Sequence, residues 1–359
     1  MASNSGIPTD HVYKSIGPLS ANIPGVFALM FRASTGRFYI LERALPGDAG
    51  TRSFLVHEVG SNPEKLSFLS IYPGPLTTQI LDIFTTLRDG CTENDRHRRH
   101  VVQIEEPTLS LAAQQPHDSL AWEFYNLDGP ALLFDNARQR NIQVPSPVIY
   151  LMVKDILLGL AQMLGAGVSH GPMERLNSVR AAQPGRGAMP TFHVDDFSRA
   201  RRLQPDDDKD AAARSDFRTL SQLLASFSRI DSPQGWGRWL PLDAIQRAMT
   251  ELEQMDKSEW TGSWHGLDPG TKFSRIAQRF DTLATEAMTD INADPVAAAT
   301  RGEFITMLDS IAWEVAQLRP SIYGTLQEAA DEASRHGARW LTTLVDPNTF
   351  QLLYADDAA

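Results

Sequence analysis

From Gly167 to Ala200 the chain reads GVSHGPMERLNSVRAAQPGRGAMPTFHVDDFSRA, a run of polar and charged residues set between apolar segments. A loop of this kind has to be held by the rigid elements on either side, and loops held in that way are where chemistry concentrates. The element that delivers the chain into it is the most apolar stretch of the sequence, Val148–Leu164. Ser146 and Pro147 form a helix start, a capping hydroxyl followed by a proline in the first turn. Ile149, Met152, Ile156, Leu160 and Met163 follow a helical stripe, and Gly165 and Gly167 end it. Lys154 and Asp155 interrupt the apolar run, which therefore predicts a buried helix and not a membrane span.

The rest of the chain falls into two kinds of pattern. Residues 1–25 are polar with scattered Pro and Gly and predict a loose arm. Val26–Ala33, Arg37–Arg43 and Ser53–Val59 are β-rich runs separated by turn residues. Leu76, Ile80, Phe84 and Leu87 then recur at helical spacing, and Val101–Ile104 and Leu120–Tyr125 predict two further strands. Asn126–Val144 reads as a connection. Beyond the polar loop, Leu203–Arg214 reads as exposed and Asp216 opens a helix carrying Phe217, Leu220, Leu224 and Phe227 on one face. Leu242–Met255, Phe273–Ile291, Glu303–Leu318 and Thr325–Leu344 each show helical spacing. The expected class is α+β, with an arm over 1–25, a β-rich part over 26–130 and a helical part over 131–359.

The polar loop resembles the catalytic core of the protein kinase family. In that family a His-Arg-Asp loop ends in Asn, and Asp-Phe-Gly follows after a short hairpin. Here Asn177 stands seven residues after His170, and Asp196-Phe197-Ser198 occupies the place of Asp-Phe-Gly. The resemblance implies a two-lobed kinase-like fold, with a small β-rich lobe and a large helical one. It implies that Asn177 and Asp196 are the magnesium ligands, magnesium being the one cofactor in view. It implies also that Asp216 braces the loop. Three parts of the phosphotransfer apparatus are missing. Pro172 stands where the catalytic Asp should be, Gly25 and Gly36 do not make a glycine-rich loop, and His57 of the third expected strand replaces the lysine. The glutamate partner of that lysine would fall near Gln79 or Asp82, neither of which is a Glu.

Two functions remain open at this point. The first is a pseudokinase-type binding or regulatory module, with a protein or nucleotide as its partner. The second starts from Asp195-Asp196-Phe197-Ser198, which resembles part of the Asp-Asp-x-x-Glu motif of fungal arginine-containing cyclodipeptide synthases. That resemblance implies a transferase of secondary metabolism that uses aminoacyl-tRNA, with Asp195 and Asp196 as its catalytic carboxylates. Arg199 stands where its Glu should be. His170, Glu174, Arg175, Asn177 and Arg199 are the candidate ligand-binding residues. The arginines beside one acidic pair suit an anionic group, or simply balance charge. A plain alternative holds for several of them: the Asp pair as a turn, His170 as a structural histidine, and Asn177 as a lock on the loop. The net charge of −11 argues against DNA as a partner. One cysteine, Cys91, and an N-terminus without an apolar signal core lead us to expect a cytoplasmic protein with no membrane partner.

Overall fold

The computed structural model describes residues 14–18, 27–32, 38–45, 52–58, 65–90, 100–102, 104–108, 117–123, 125, 127, 129–173, 178–228, 238–316, 341–345 and 352–354. The architecture is α+β and divides into two compact units.

The first unit comprises Met1–Leu81, Gln103–Phe124 and Ala316–Ala359. Its described strands are β1 (Lys14–Pro18), β2 (Phe27–Arg32), β3 (Phe38–Leu45), β4 (Arg52–Glu58), β5 (Lys65–Pro73), β6 (Ile104–Thr108), β7 (His117–Glu123), β12 (Leu341–Val345) and β13 (Leu352–Tyr354). They form one sheet in the order β13-β12-β1-β2-β3-β4-β5-β7-β6, and every pairing in it is antiparallel. Helix α1 (Gly74–Gly90) starts in this unit and belongs to the second unit from Asp82 onward.

Several expectations need correction here. The arm over 1–25 contains β1. Of the expected helix over 325–344, residues 325–340 lie outside the described residues, and the last four belong to β12, where Leu341-Thr342-Thr343-Leu344-Val345 carries β-branched residues and pairs with β1. Residues 316–359 therefore group with the sheet, whereas the sequence reading places them in the helical part. An additional strand, β5 (KLSFLSIYP), stands between β4 and α1 and pairs along its length with both β4 and β7. His57 on β4 is thus one strand away from the strand that leads into the helix, and the lysine position assigned to it by resemblance does not fall there.

The second unit comprises Asp82–Val102 and Tyr125–Val315. It contains α2 (Pro130–Gln139), α3 (Ser146–Gly165), α4 (Lys209–Ser228), α5 (Leu242–Gln254), α6 (Pro269–Ala293) and α7 (Pro295–Ala316), with short strands between α3 and α4. Helix α2 occupies the stretch read as a plain connection. Helix α3 is its centre: Val148, Ile149, Met152, Val153, Ile156, Leu157, Leu160 and Met163 are all at most 1% exposed, while Leu151, Lys154, Leu158 and Gln162 form a half-buried face. Among the described residues it is the one helix long and apolar enough to cross a membrane, and 67% of its apolar window is buried inside the fold. Its cap differs from expectation. Pro145 is the N-cap, Ser146 makes no capping bond, and Pro147 still lies in the first turn, where a missing N–H costs nothing.

Helix α6 lies along α3 through Phe273, Ile276, Ala277, Phe280, Leu283 and Ala284, a three- and four-residue stripe. Helix α4 begins at Lys209, inside the segment read as exposed loop, because Asp208 accepts from the amides of Asp210 and Ala211 at 3.0 Å and caps it. A π-helical segment, Met255–Ser263, follows α5 and delivers Trp260 into the core. Trp260 stacks on Phe217 at 5.4 Å, and its Nε1 donates to Asp210 at 3.0 Å. Asp210 also takes the buried Lys272 Nζ at 2.5 Å, so the buried ammonium is paired.

Gly159 lets a loop pass close to α3. A Cβ built there would lie 2.5 Å from the His100 carbonyl oxygen and 2.6 Å from Val194 Cγ2. Gly159→Ala is expected to cost about 2–3 kcal/mol through overpacking. A denaturant melt with an unchanged midpoint would show that the backbone at His100 moves aside freely.

Candidate functional site

Two small ladders fold the stretch from Gly167 to Ala200 back on itself. β9 (Val179–Ala182) pairs with β10 (Thr191–Val194), and β8 (Val168–Ser169) pairs with β11 (Arg201–Arg202). The first ladder carries the hairpin, and the second joins the two ends of the stretch. Together they bring the loop opened by His170 beside Asp195-Asp196. The His170 ring spans the gap: Nε2 lies 2.7 Å from the Asp195 carbonyl and Nδ1 lies 3.3 Å from that of Gly171. His170 is 1% exposed, so the structure gives it a bracing position.

Behind the loop stands α4. Asp216, 1% exposed, accepts from His170 N at 3.0 Å, from Gly171 N at 2.9 Å and from Ser169 Oγ at 3.1 Å. Burial pushes its pKa above the ordinary carboxylate value, against the opposing pull of His170 and of these donors. One turn on, Thr219 Oγ1 accepts from Met173 N at 3.1 Å and donates to the Asp216 carbonyl at 2.7 Å. Backbone from Ser169 to Met173 is thereby fixed at both ends. Gly171 has φ +83°, and a Cβ there would lie 2.9 Å from the Arg199 carbonyl oxygen, so the loop requires glycine at this point. Pro172, half-buried, sits between the two pinned amides where the resemblance expects a base.

On the facing segment, Phe197 is buried between Phe84 of α1 (4.6 Å, edge-on) and His170 (6.0 Å). Phe84, Phe197, His170 and Asp216 thus form one continuous column. Asp196 has φ 56° and ψ 65°, the left-handed conformation uncommon outside glycine. It turns the chain into a 3-10 turn, Phe197–Arg199, closed by Ala200 N to the Phe197 carbonyl at 3.1 Å.

The two carboxylates of the pair part company. Asp195 is buried, and its Oδ2 takes Arg180 Nε of β9 at 2.5 Å. Asp196 is half-buried, and its Oδ1 accepts from Ser198 Oγ at 2.6 Å. The two carboxylates thus have different partners, Arg180 for Asp195 and Ser198 for Asp196. Arg201 and Arg202 are exposed and paired with Asp207 (2.7 Å) and Asp82 (3.1 Å). Arg199 is exposed and makes no ion pair among the described residues. Glu174, Arg175 and Asn177 lie outside the described residues.

Sequence reasoning named His170, Asp195, Asp196 and Asp216 and missed Arg180, Ser198, Phe84 and Thr219. Thr219 had a signal, three residues beyond Asp216 on the same helix face. Ser198 had one too, a hydroxyl two residues from a turn Asp. Arg180 had none, since only the pairing of β9 with β10 brings it near Asp195.

No protein-family model matches the sequence, and no curated protein matches it. A solved structure described as "Structure of vaccinia related kinase 3" is similar to this chain with a TM-score of 0.49 and 9% identity, over 72% of this chain and 90% of that one.

Proposed function

We propose that this chain is a kinase-fold binding module that has lost protein phosphotransfer: it holds a nucleotide or other phosphate-bearing ligand and presents the result to a protein partner. The observation that carries the reading is Pro172 in a loop that is firmly held from behind. Asp216 grips the loop, His170 spans it, Phe197 is locked behind it, and Asp196 is half-buried on a left-handed backbone, yet the residue at the base position has no proton acceptor. Phosphoryl transfer to a hydroxyl needs a group that positions the acceptor and takes its proton. A proline ring does neither.

The residues present fit a magnesium ion in a limited way. No group of three His, Cys, Asp or Glu stands ready to cage a metal among the described residues. Magnesium needs no such cage when phosphates and waters fill most of its six positions, and one or two carboxylates then suffice. Asp196 offers that carboxylate: Oδ2 makes no hydrogen bond among the described residues. When bound, the ion would neutralise phosphate charge. Arg199, exposed and three residues on, is the residue to which we assign an anionic group. The synthase reading gains no supporting observation, because Asp195 is engaged by Arg180.

The experiment is incubation with labelled ATP, magnesium and generic protein substrates. No transfer above background is expected. Robust transfer that disappears in Asp196→Ala would overturn the proposal.

A further inference from the structure

Helix α4 carries an open recess of about 520 Å3 along the face between its cap at Asp208 and Gln222, room for a few side chains. The recess abuts the pinned loop, because Thr219 in its wall is the residue that holds Met173 N. Its charged groups are not equally committed. Asp208 is taken by the amides of Asp210 and Ala211, and Asp210 by the buried Lys272 and by Trp260 Nε1. Arg214 is held closely by Asp256, with Nε to Oδ1 at 2.6 Å and Nη2 to the Asp256 carbonyl at 3.3 Å. Arg218, one turn on, reaches Oδ2 of the same carboxylate only at 3.3 Å, from Nε and from Nη2, and its side chain is 58% exposed. Two guanidinium groups thus share one carboxylate, and the second is weakly engaged. An exposed pair of this kind contributes little, so an incoming anion can replace it at low cost while Asp256 keeps Arg214. Ser215 and Gln222 flank Arg218 at helical spacing, both exposed, and neither side chain makes a hydrogen bond among the described residues. Asp210 stands eight residues from Arg218, about 12 Å along the helix and beyond the screening length at physiological salt. The acidic end of the recess therefore does not cancel the pull of Arg218.

We propose that this face of α4 is a docking surface for an acidic segment of a protein partner, with a Glu or Asp carboxylate on the Arg218 fork and Ser215 and Gln222 bonding the peptide beside it. A planar guanidinium suits a carboxylate because it donates two parallel N–H bonds to it. The inference rests on the reading of the chain as a partner-binding module. It uses neither Asp196 nor a nucleotide, so the two readings fail separately.

The test is fluorescence polarisation of a labelled peptide with three consecutive glutamates, and of its glutamine counterpart, against the full chain without nucleotide. Wild type is expected to bind the glutamate peptide at least about tenfold more tightly than the glutamine one, the scale of one hydrogen bond to a charged group. Arg218→Gln should lose about that factor, and Arg218→Lys should fall between the two, since an ammonium keeps the charge without the fork. Arg186→Gln, which removes an exposed arginine at the tip of the β9–β10 hairpin, should bind as wild type does. Asp196→Asn should also bind the peptide as wild type does, whatever it does with ATP. Absence of binding, equal affinity for the two peptides, or equal losses in Arg218→Gln and Arg186→Gln overturns the proposal, the last by assigning the attraction to surface charge in general. Thermal melting of each variant separates loss of fold from loss of the surface.

Discussion

Replacing Asp216 by alanine is expected to cost about 3–5 kcal/mol of stability. The side chain is 1% exposed and serves the amides of His170 and Gly171 and the hydroxyl of Ser169. With the carboxylate gone, these buried donors have no acceptor, and each unsatisfied group costs about 1–3 kcal/mol. The sum is reduced because a buried charge has also been removed, one whose pKa burial already raises. Asp216→Asn should cost less, since its oxygen still serves one donor while its NH2 faces another. Urea unfolding measures this through a lower midpoint at an unchanged slope. A loss under about 1 kcal/mol for the alanine variant would mean that water enters and replaces the carboxylate.

The second large effect concerns Asp155, in the middle of α3. Its carboxylate is buried. Oδ2 accepts from Phe192 N at 3.0 Å, while Lys154 Nζ and His100 Nδ1 each stand 3.6 Å from Oδ1. Burial pushes the pKa up from 3.8 to about 6, and Lys154 and the Phe192 amide only partly offset it. Between these two values the folded protein holds a proton that the unfolded chain releases. Stability from this group is therefore present in full below 3.8 and is lost as pH rises through about 6. At about 1.4 kcal/mol per pKa unit, the loss across the window is about 3 kcal/mol. Asp155→Asn keeps an acceptor for Phe192 N and removes the charge. It is expected to be more stable than wild type by up to about 3 kcal/mol at pH 8, with the difference vanishing near pH 4. Unfolding free energies of the two proteins from pH 4 to 8 test it. A gap independent of pH, or an asparagine variant that is weaker at pH 8, would contradict the sign.

The parts legible in the sequence were those specified locally. The α3 stripe, the glycines that end the helix, and the spacing from His170 to Asp196 and on to Asp216 sit in one continuous stretch with strong periodicity. Strand β5 was not legible, because a short apolar run beside a helix start declares itself only through its neighbours β4 and β7. β1 and β12 were hidden for the same reason: they pair across most of the chain length. Within the site, alternation along an extended segment already implied that Asp195 and Asp196 need not face one ligand. The positive φ of Asp196 was not legible, because it belongs to the turn around Phe197, whose burial is tertiary.

The central claim is that Asp196, held in a frame without a base, still binds a cation and its phosphate ligand. The direct measurement is calorimetric titration of Mg–ATP into wild type and Asp196→Asn, with melting temperatures in parallel. Wild type should bind, and the asparagine variant should lose at least about tenfold in affinity at an unchanged melting temperature, because a charged hydrogen-bonding or metal contact is removed without disturbing the buried column. Equal affinities for the two proteins, or no binding by either, would contradict the account.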